Sequence, residues 1–146
     1  MDKPTLIKGT RFVDDRGVVT YCNDFDMSEV KRWYMLENWR EGFIRAWHGH
    51  IREAKWIMCV SGVAIECVAE MVDTGEEYYL LEPDRYTLHP NGDVLYVPPG
   101  YANGHKNLVQ GTRLIHFSNL LHEDTKGDDV RFDYRIHGWV WEEEYR

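Results

Sequence analysis

The sequence alternates short apolar runs with turn signals, and this rhythm restricts the possible folds more than any other feature. "GVVTYC" follows the turn "DDRG", "YTLH" follows "EPDR", "DVLYVPP" follows "HPNG" and "TRLIHFSN" follows "VQG". Runs of this length between turns rich in Gly, Pro and Asp are typical of β-strands. The pattern predicts about nine or ten strands spaced by roughly 8–12 residues, as in a sandwich or a barrel.

Helical signal is thin, and the length of the chain suits one domain. We predict a single short helical turn near Met27–Val30, because its Asp/Ser-rich start precedes residues that suit strands. "KWIMCVSGVAIECVAEM" is interpreted as two strands joined by a hairpin turn at Ser61–Gly62. The 146 residues, of which 43 % are hydrophobic, are expected to form one domain over residues 1–146.

Charge and cysteine content exclude several classes of protein. The formal net charge of −8 argues against a nucleic-acid surface, which needs clustered positive charge to displace counterions. The start "MDKPTLIKGTRF" has no apolar h-region and the chain has no long apolar run, so we expect no signal peptide and no membrane span. The three cysteines lack CxxC spacing and are interpreted as reduced thiols, which favours a cytoplasmic protein.

The stretch "FIRAWHGHIREAKW" carries the first chemical signal. His48 and His50 are two residues apart and would point to the same face of a strand, since strand side chains alternate with a period of two. Such a pair suits metal ligands, acid–base groups or a polar surface, and the stretch alone leaves these three interpretations open.

A second stretch, "GDVLYVPPGYANGHKN", resembles one half of the signature of the cupin superfamily of small β-barrels. That half contains Gly, Pro-x-Gly, His and Asn at fixed offsets, and the other half contains HxH followed by Glu and Gly. Gly92, Pro98, Gly100 and Asn107 fall on the pattern, whereas Asn103 stands at the histidine position. The resemblance implies an all-β fold, a single cupin (jelly-roll) β-barrel.

The substitution at Asn103 bears on metal binding. A usual cupin metal site takes three imidazoles and a carboxylate, and a neutral amide oxygen is a weak partner for the metals that imidazole favours. We therefore predict no metal and no other cofactor. The alternative is a metal-dependent cupin built on His48, His50, Glu53 and His105.

A closer resemblance is to the dTDP-4-dehydrorhamnose 3,5-epimerase family. It rests on "DDRG", "GFIRAWHGHIREAKWIMCVSG", "VPPGYANG" and "DVRFDYRIHGWVWE", and so spans nearly the whole chain. "VKRWYMLEN" and the HxH pair are also similar to the related sugar 3,4-ketoisomerases. The resemblance implies a homodimeric isomerase that epimerises an NDP-4-keto-(6-deoxy)hexose at C3 and/or C5 in carbohydrate biosynthesis. The alternatives are a 3,4-ketoisomerase and a non-catalytic cupin that binds nucleotide-linked sugars.

The same resemblance implies roles for individual residues. His48 matches the catalytic histidine, Lys55 the lysine near the enolate oxygen or phosphate, and His50 the second histidine of the ketoisomerases only. The predicted catalytic residues are therefore His48, His50 and Lys55, and the predicted substrate-binding residues are Arg16, Arg45, Tyr101, Asn103, His105 and His116.

Two departures from the epimerase pattern concern the acid and the carboxylate that orients the base. The family has a tyrosine acid on the strand "TRLIHFSN", where this chain has Ile115 and His116, so His116 or Tyr101 would replace it. The family's orienting aspartate lies in a C-terminal extension beyond Arg146, and Asp15 is a remote substitute. "HEDTKGDDVRFDYR" is interpreted as a solvated loop.

Overall fold

The computed structural model describes residues 3–146, and strands make up most of its regular structure. In chain order the strands are β1 (Thr5–Ile7), β2 (Thr10–Asp14), β3 (Gly17–Tyr21), β4 (Arg32–Glu37), β5 (Ile44–His50), β6 (Lys55–Ser61), β7 (Ala64–Asp73), β8 (Tyr78–Leu80), β9 (Asp84–Leu88), β10 (Val94–Val97), β11 (Tyr101–Asn107), β12 (Arg113–Ser118) and β13 (Asp129–Arg131). The prediction of an all-β fold is confirmed, with more and shorter strands than the turn signals indicated.

The strands form two main antiparallel sheets. The first sheet, sheet A, has the order β1-β10-β6-β12-β4, and the second, sheet C, has the order β13-β5-β11-β7-β8 with β9 also paired to β7. β2 and β3 form a separate two-stranded ribbon, sheet B. Strands that follow each other in sequence mostly lie in different sheets, which brings distant segments side by side.

The core lies between these sheets. Ile57, Leu95 and Leu114 from sheet A pack with Val68 and Leu88 from sheet C, and all five are nearly or fully buried. Burial of each such side chain contributes about 1.5–3 kcal/mol relative to exposure. This apolar cluster closes one part of the barrel, and the polar residues described below line another.

The predicted hairpin at Ser61–Gly62 is wrong. β6 pairs with β10 and β12, whereas β7 pairs with β11, β8 and β9, so the chain passes from one sheet to the other at this point. Gly62 has a φ of 77°, and a Cβ there would collide with Thr112. Glycine thus permits a tight corner rather than a hairpin turn.

Helical structure is as sparse as the sequence predicts. Val30 N–H donates to the carbonyl of Met27 at 3.0 Å, which forms the one turn expected there. Two 3-10 helices, His122–Thr125 and Gly138–Trp141, follow the last long strand. Within residues 3–146, no helix has the length and apolar character needed to cross a membrane. The thiols of Cys22, Cys59 and Cys67 are unbridged, as expected.

Candidate active site

A cavity of about 380 Å³ opens between the two sheets, and both sheets contribute side chains to its wall. The lining is mainly charged and polar and consists of Arg32, Tyr34, Leu36, Arg45, His48, His50, Glu53, Lys55, Asn103, Gly104, His105, His116, His122, Thr125, Asp129 and Arg131. Most of the residues that the sequence singled out therefore lie together.

The two histidines of the first motif share one face of β5, as predicted. His48 and His50 both line the cavity, and at Gly49 between them a Cβ would collide with Met71 on the opposite face. Burial, followed by the positive charges of Lys55 and Arg131, lowers the pKa of His48 below 6.5. A ring with this shift is neutral at neutral pH and can accept a proton.

Lys55 enters the cavity from sheet A and meets Asn103 of sheet C. Its Nζ donates to Oδ1 of Asn103 at 3.2 Å, and Nδ2 of Asn103 donates to Oε1 of Glu66 at 2.8 Å. Burial lowers the pKa of Lys55 and raises the pKa of Glu66 to about 8. The residue at the cupin histidine position thus binds the side-chain nitrogen of Lys55.

A second polar network fixes Arg45 and His105. Nε of Arg45 donates to Oδ1 of Asn38 at 2.7 Å, and the amide nitrogen of Asn38 lies 3.4 Å from Nε2 of His105 and donates to Oδ1 of Asn107 at 3.0 Å. Burial lowers the pKa of His105 to about 4, which keeps this ring neutral and able to accept. Asn38 was not predicted from the sequence, yet it orients the Arg45 guanidinium at the cavity wall.

Tyr34 stands beside His116 on neighbouring strands of sheet A. Its hydroxyl lies 3.3 Å from Nδ1 of His116, and the two rings stack with centroids 5.0 Å apart. Burial, aided by Glu53, raises the pKa of Tyr34 above its ordinary value, so the hydroxyl keeps its proton. Burial also lowers the pKa of His116 well below 6.5. The sequence prediction named His116 and missed Tyr34, the group with the transferable proton.

Three acid and imidazole groups converge at the end of β5. The nitrogen and oxygen atoms of His50, Glu53 and Asp128 that could bind a metal ion lie within 4.8 Å of one another. Among residues 3–146 this is the group with such an arrangement. Arg32 pairs with Glu53 at 3.1 Å, and Asp128 accepts three backbone N–H bonds. The cluster differs from the alternative predicted set, because neither His48 nor His105 belongs to it.

Two predicted substrate-binding residues lie away from the cavity wall. Arg16 is at the β2–β3 turn, exposed and paired with Asp14. Tyr101 packs against the apolar cluster between the sheets. Asp15, the remote candidate for an orienting carboxylate, is in the same exposed turn as Arg16.

The segment "HEDTKGDDVRFDYR" is not simply the solvated loop that the sequence indicated. Its residues His122, Thr125, Asp129 and Arg131 line the cavity, and Asp128 is fully buried. Its high content of charged residues concealed this, because the partners of the buried carboxylate are backbone groups far away in sequence.

The comparisons with known proteins agree with this architecture. The family model described as FdtA (WxcM-like, C-terminal) matches residues 2–134. None of the curated proteins compared with the chain matches it in sequence. The solved structures of similar fold that are described below are less than 25 % identical to it, so their likeness establishes the fold.

Three of these structures illustrate the likeness. A mutant of the 3,4-ketoisomerase QdtA from Thermoanaerobacterium thermosaccharolyticum, in complex with TDP-4-keto-6-deoxyglucose, is 19 % identical with a TM-score of 0.68, over 94 % of this chain and 92 % of that one. The dTDP-4-dehydrorhamnose 3,5-epimerase from Bacillus anthracis, with TDP and PPi bound, is 19 % identical with a TM-score of 0.72, over 88 % and 77 %. The TDP-quinovose 3,4-ketoisomerase WlaRB from Campylobacter jejuni is 18 % identical with a TM-score of 0.65, over 94 % and 98 %.

Fold and cavity together define a cupin-type barrel with a polar pocket between its sheets, which confirms the predicted fold class. Since the family model covers most of the sequence, the chain belongs to the FdtA family of WxcM-like, C-terminal domains.

Proposed function

We propose that this chain is a nucleotide-sugar isomerase that transfers a proton at the carbon beside the ketone of an NDP-4-keto-6-deoxyhexose. The observation that carries the proposal is the convergence of His48, His50 and Lys55 in one cavity. Membership of the FdtA family and similarity to epimerases and ketoisomerases of TDP-linked sugars support it.

The cavity contains the two groups that this chemistry requires. A C–H bond beside a ketone is a weak acid, so the enzyme needs a neutral base near the carbon and a positive group near the oxygen. His48 is neutral at working pH and serves as the base. Lys55 is the buried cation that stabilises the enolate oxygen.

The arginines of the cavity wall supply sites for the diphosphate. Arg45 is held by Asn38, and Arg131 pairs with Asp129 at 2.6 Å at the exposed rim. One guanidinium group can donate two parallel hydrogen bonds to a phosphate group. This suits a nucleoside diphosphate that is bound at the rim while its sugar extends into the cavity. TDP is bound in the similar epimerase and is part of the ligand in the similar ketoisomerase, so we assign the same class of substrate here.

Epimerisation at C3 and/or C5 is the outcome that we favour. Inversion requires a base on one side of the sugar and a proton donor on the other. His48 lies on β5 of sheet C, whereas Tyr34 lies on β4 of sheet A, so they face the cavity from opposite walls. In this proposal the protonated Tyr34 takes the role of the tyrosine that the epimerases have on the strand corresponding to β12, which is the neighbour of β4 in sheet A.

The second candidate is 3,4-ketoisomerisation, and the position of His50 favours it. His50 lies on the same wall as His48, so one ring could move the carbon proton while the other serves the sugar oxygens. The products separate these reactions, because epimerisation keeps the ketone at C4 and ketoisomerisation moves it to C3. A cupin that only binds the sugar nucleotide would form neither product.

We further propose a homodimer in which the β2–β3 ribbon packs against a second copy. Phe12 and Val19 on this ribbon and Trp33 on the edge strand β4 are each more than half exposed. Pairing would bury these side chains and would bring Arg16, at the ribbon's turn, toward a substrate in the partner's cavity. Light scattering would show a dimer that Val19→Asp converts to a monomer, and a monomeric parent protein would refute this assignment.

The unpaired thiols of Cys22, Cys59 and Cys67 favour a reducing compartment, so we assign the reaction to the cytoplasm. There it would serve carbohydrate biosynthesis, for example of lipopolysaccharide or capsule.

The test of the proposed activity is product analysis with TDP-4-keto-6-deoxyglucose. Proton NMR should show an epimer or a 3-keto isomer with the parent protein, no product with His48→Asn, and full activity with His89→Asn. His89 is exposed and lies outside the cavity wall, which makes it the matched control. Tight binding of the sugar nucleotide without any product would support the non-catalytic alternative.

A further inference from the structure

His50 faces two buried carboxylates with the Nδ1 edge of its ring. Its Nδ1 lies 3.4 Å from Oε2 of Glu53 and 3.6 Å from Oδ2 of Asp128. Nδ1 is buried and forms no hydrogen bond within the described part of the chain. His50 also lines the cavity, and Nε2 is not among the buried unpartnered atoms, so Nε2 is the ring nitrogen that a ligand in the cavity could reach.

The position of Asp128 is determined by the backbone that follows His50. Its Oδ1 accepts from the N–H groups of Ile51 at 3.0 Å and Arg52 at 2.8 Å, and its Oδ2 accepts from the N–H of Glu53 at 3.0 Å. A fully buried carboxylate with three backbone donors is rigidly placed, and Oδ2 retains lone-pair capacity toward the imidazole.

Glu53 approaches the same ring with one carboxylate oxygen, while its other oxygen is paired with Arg32. Nη2 of Arg32 donates to Oε1 of Glu53 at 3.1 Å, which leaves Oε2 turned to His50. Arg32 is itself fixed by donating to the carbonyl of Leu120 at 3.0 Å. Both carboxylates are thus anchored independently of the histidine.

By contrast, His48 lacks this kind of support. Within residues 3–146 no carboxylate pairs with its ring at ion-pair distance, although Asp129 lies close enough to affect its titration. The carboxylate that orients the base in the resembled epimerases is therefore found here at the other histidine of the HxH pair.

We propose that Asp128, assisted by Glu53, is a positioning residue that keeps the proton of neutral His50 on Nδ1 and leaves Nε2 as the acceptor toward the substrate. In neutral imidazole one nitrogen donates and the other accepts, and a carboxylate can only accept. The inference rests on the proposed function and deepens it, since it equips His50 to accept a proton from a sugar hydroxyl while His48 acts at the carbon.

The other charges around His50 are compatible with a neutral ring. Burial and then Lys55 lower its pKa to about 4, whereas Glu53, Asp128 and Asp129 act in the opposite direction. The distances of 3.4 and 3.6 Å are long for hydrogen bonds, as is common in catalytic sites before a substrate tightens them.

The tautomer can be measured directly by ¹⁵N NMR of histidine-labelled protein, with His50→Asn used to assign the signals. We expect a pyrrole-like Nδ1 and a pyridine-like Nε2 for His50, and loss of this pattern in Asp128→Asn. Because Asp128→Asn replaces one acceptor of the backbone N–H groups with a donor, Glu53→Gln provides a second variant that leaves those backbone bonds intact.

Kinetics provide the second readout. Asp128→Asn should lower kcat by about 10²-fold or more while KM changes little, since a wrong tautomer affects the chemical step rather than binding. Asp124→Asn, an exposed carboxylate on the preceding 3-10 helix, is the control that should retain full activity.

Three results would overturn the inference: a proton on Nε2 of His50 in the parent protein, an unchanged tautomer and kcat in Asp128→Asn, or a stoichiometric metal ion that Asp128→Asn releases. If no substrate is turned over but the predicted tautomer is present and depends on Asp128, the proposed function fails while the positioning role stands.

Discussion

Lys55 and Asn103 join the two sheets at the cavity wall, with Nζ of the lysine donating to Oδ1 of the asparagine at 3.2 Å. Lys55 begins β6 and Asn103 lies in β11, strands that belong to different sheets. Asn103, the residue at the histidine position of the cupin pattern, therefore contacts a lysine side chain instead of a metal ion. In the proposed mechanism, the positive charge near the enolate oxygen is therefore supplied by a side chain of the protein itself.

Removal of this ammonium should impair catalysis more than binding. We expect Lys55→Met to lower kcat by about 10²–10³-fold, because loss of one fixed donor at a developing oxyanion costs about 2.7–4 kcal/mol. Steady-state kinetics with the TDP-4-keto sugar would check this, with the exposed Lys31→Met as control. An unchanged kcat in Lys55→Met would remove the lysine from the mechanism.

The pH dependence of kcat/KM should reflect the shifted histidines. A base acts in its neutral form, and the pKa values of His48 and His50 are lowered from 6.5. The neutral form therefore persists to lower pH, and the acid limb of the profile should lie below pH 6.5. An acid limb centred above that value would show that neither ring is the base in the free enzyme.

Tyr34→Phe should separate the removal of the proton from the sugar carbon from the delivery of a new proton to that carbon. If Tyr34 is the acid of an epimerase, the variant should still exchange the carbon-bound hydrogen with solvent but should form little of the inverted product. NMR of the sugar in D2O reports both events in one sample, and the exposed Tyr79→Phe is the control. Normal inversion by Tyr34→Phe would assign the acid to another residue.

Stability should depend on pH through Glu66. Its pKa is raised from 4.5 to about 8 by burial, so between these values the unfolded chain releases a proton that the folded chain keeps. The free energy of unfolding should therefore fall as pH rises through this range, and the loss should be complete above about pH 8.

Glu66→Gln resembles the protonated side chain and should lack this contribution. Between pH 5 and pH 8 it should gain on the order of 1–3 kcal/mol relative to the parent protein in urea unfolding. Glu70→Gln, an exposed position on the same strand, should follow the parent protein. Parallel pH profiles for the parent and Glu66→Gln would contradict the assignment.

Local patterns were enough to predict the fold class and the wall contributed by β5 and β11. Alternation places His48 with His50 on one face of β5. Asn103 and His105 also both line the cavity, although the register of β11 with β5 shifts between them. The same rule applied to "RWYMLE" could have shown that Arg32, Tyr34 and Leu36 face inward, as they do.

Long-range partners account for what the sequence could not show. Asp128 looks like one more charge in an acidic loop, and its burial depends on backbone N–H groups about 75 residues earlier in the chain. Ser61–Gly62 looks like a hairpin turn because the residues on both sides suit strands, and only the pairing of β6 and β7 with other strands makes it a corner. The predicted role of Arg16 in substrate binding likewise depends on the proposed second subunit, because Arg16 lies outside the cavity wall of its own chain.

Solvent exchange at the sugar tests the central claim most directly. TDP-4-keto-6-deoxyglucose is incubated with the protein in D2O, and NMR or mass spectrometry locates the deuterium. The account predicts deuterium at C3 or C5, or a ketone moved to C3, with the parent protein and with His89→Asn but not with His48→Asn. A parent protein that binds the sugar nucleotide yet neither exchanges hydrogen at any carbon nor moves the ketone would contradict it.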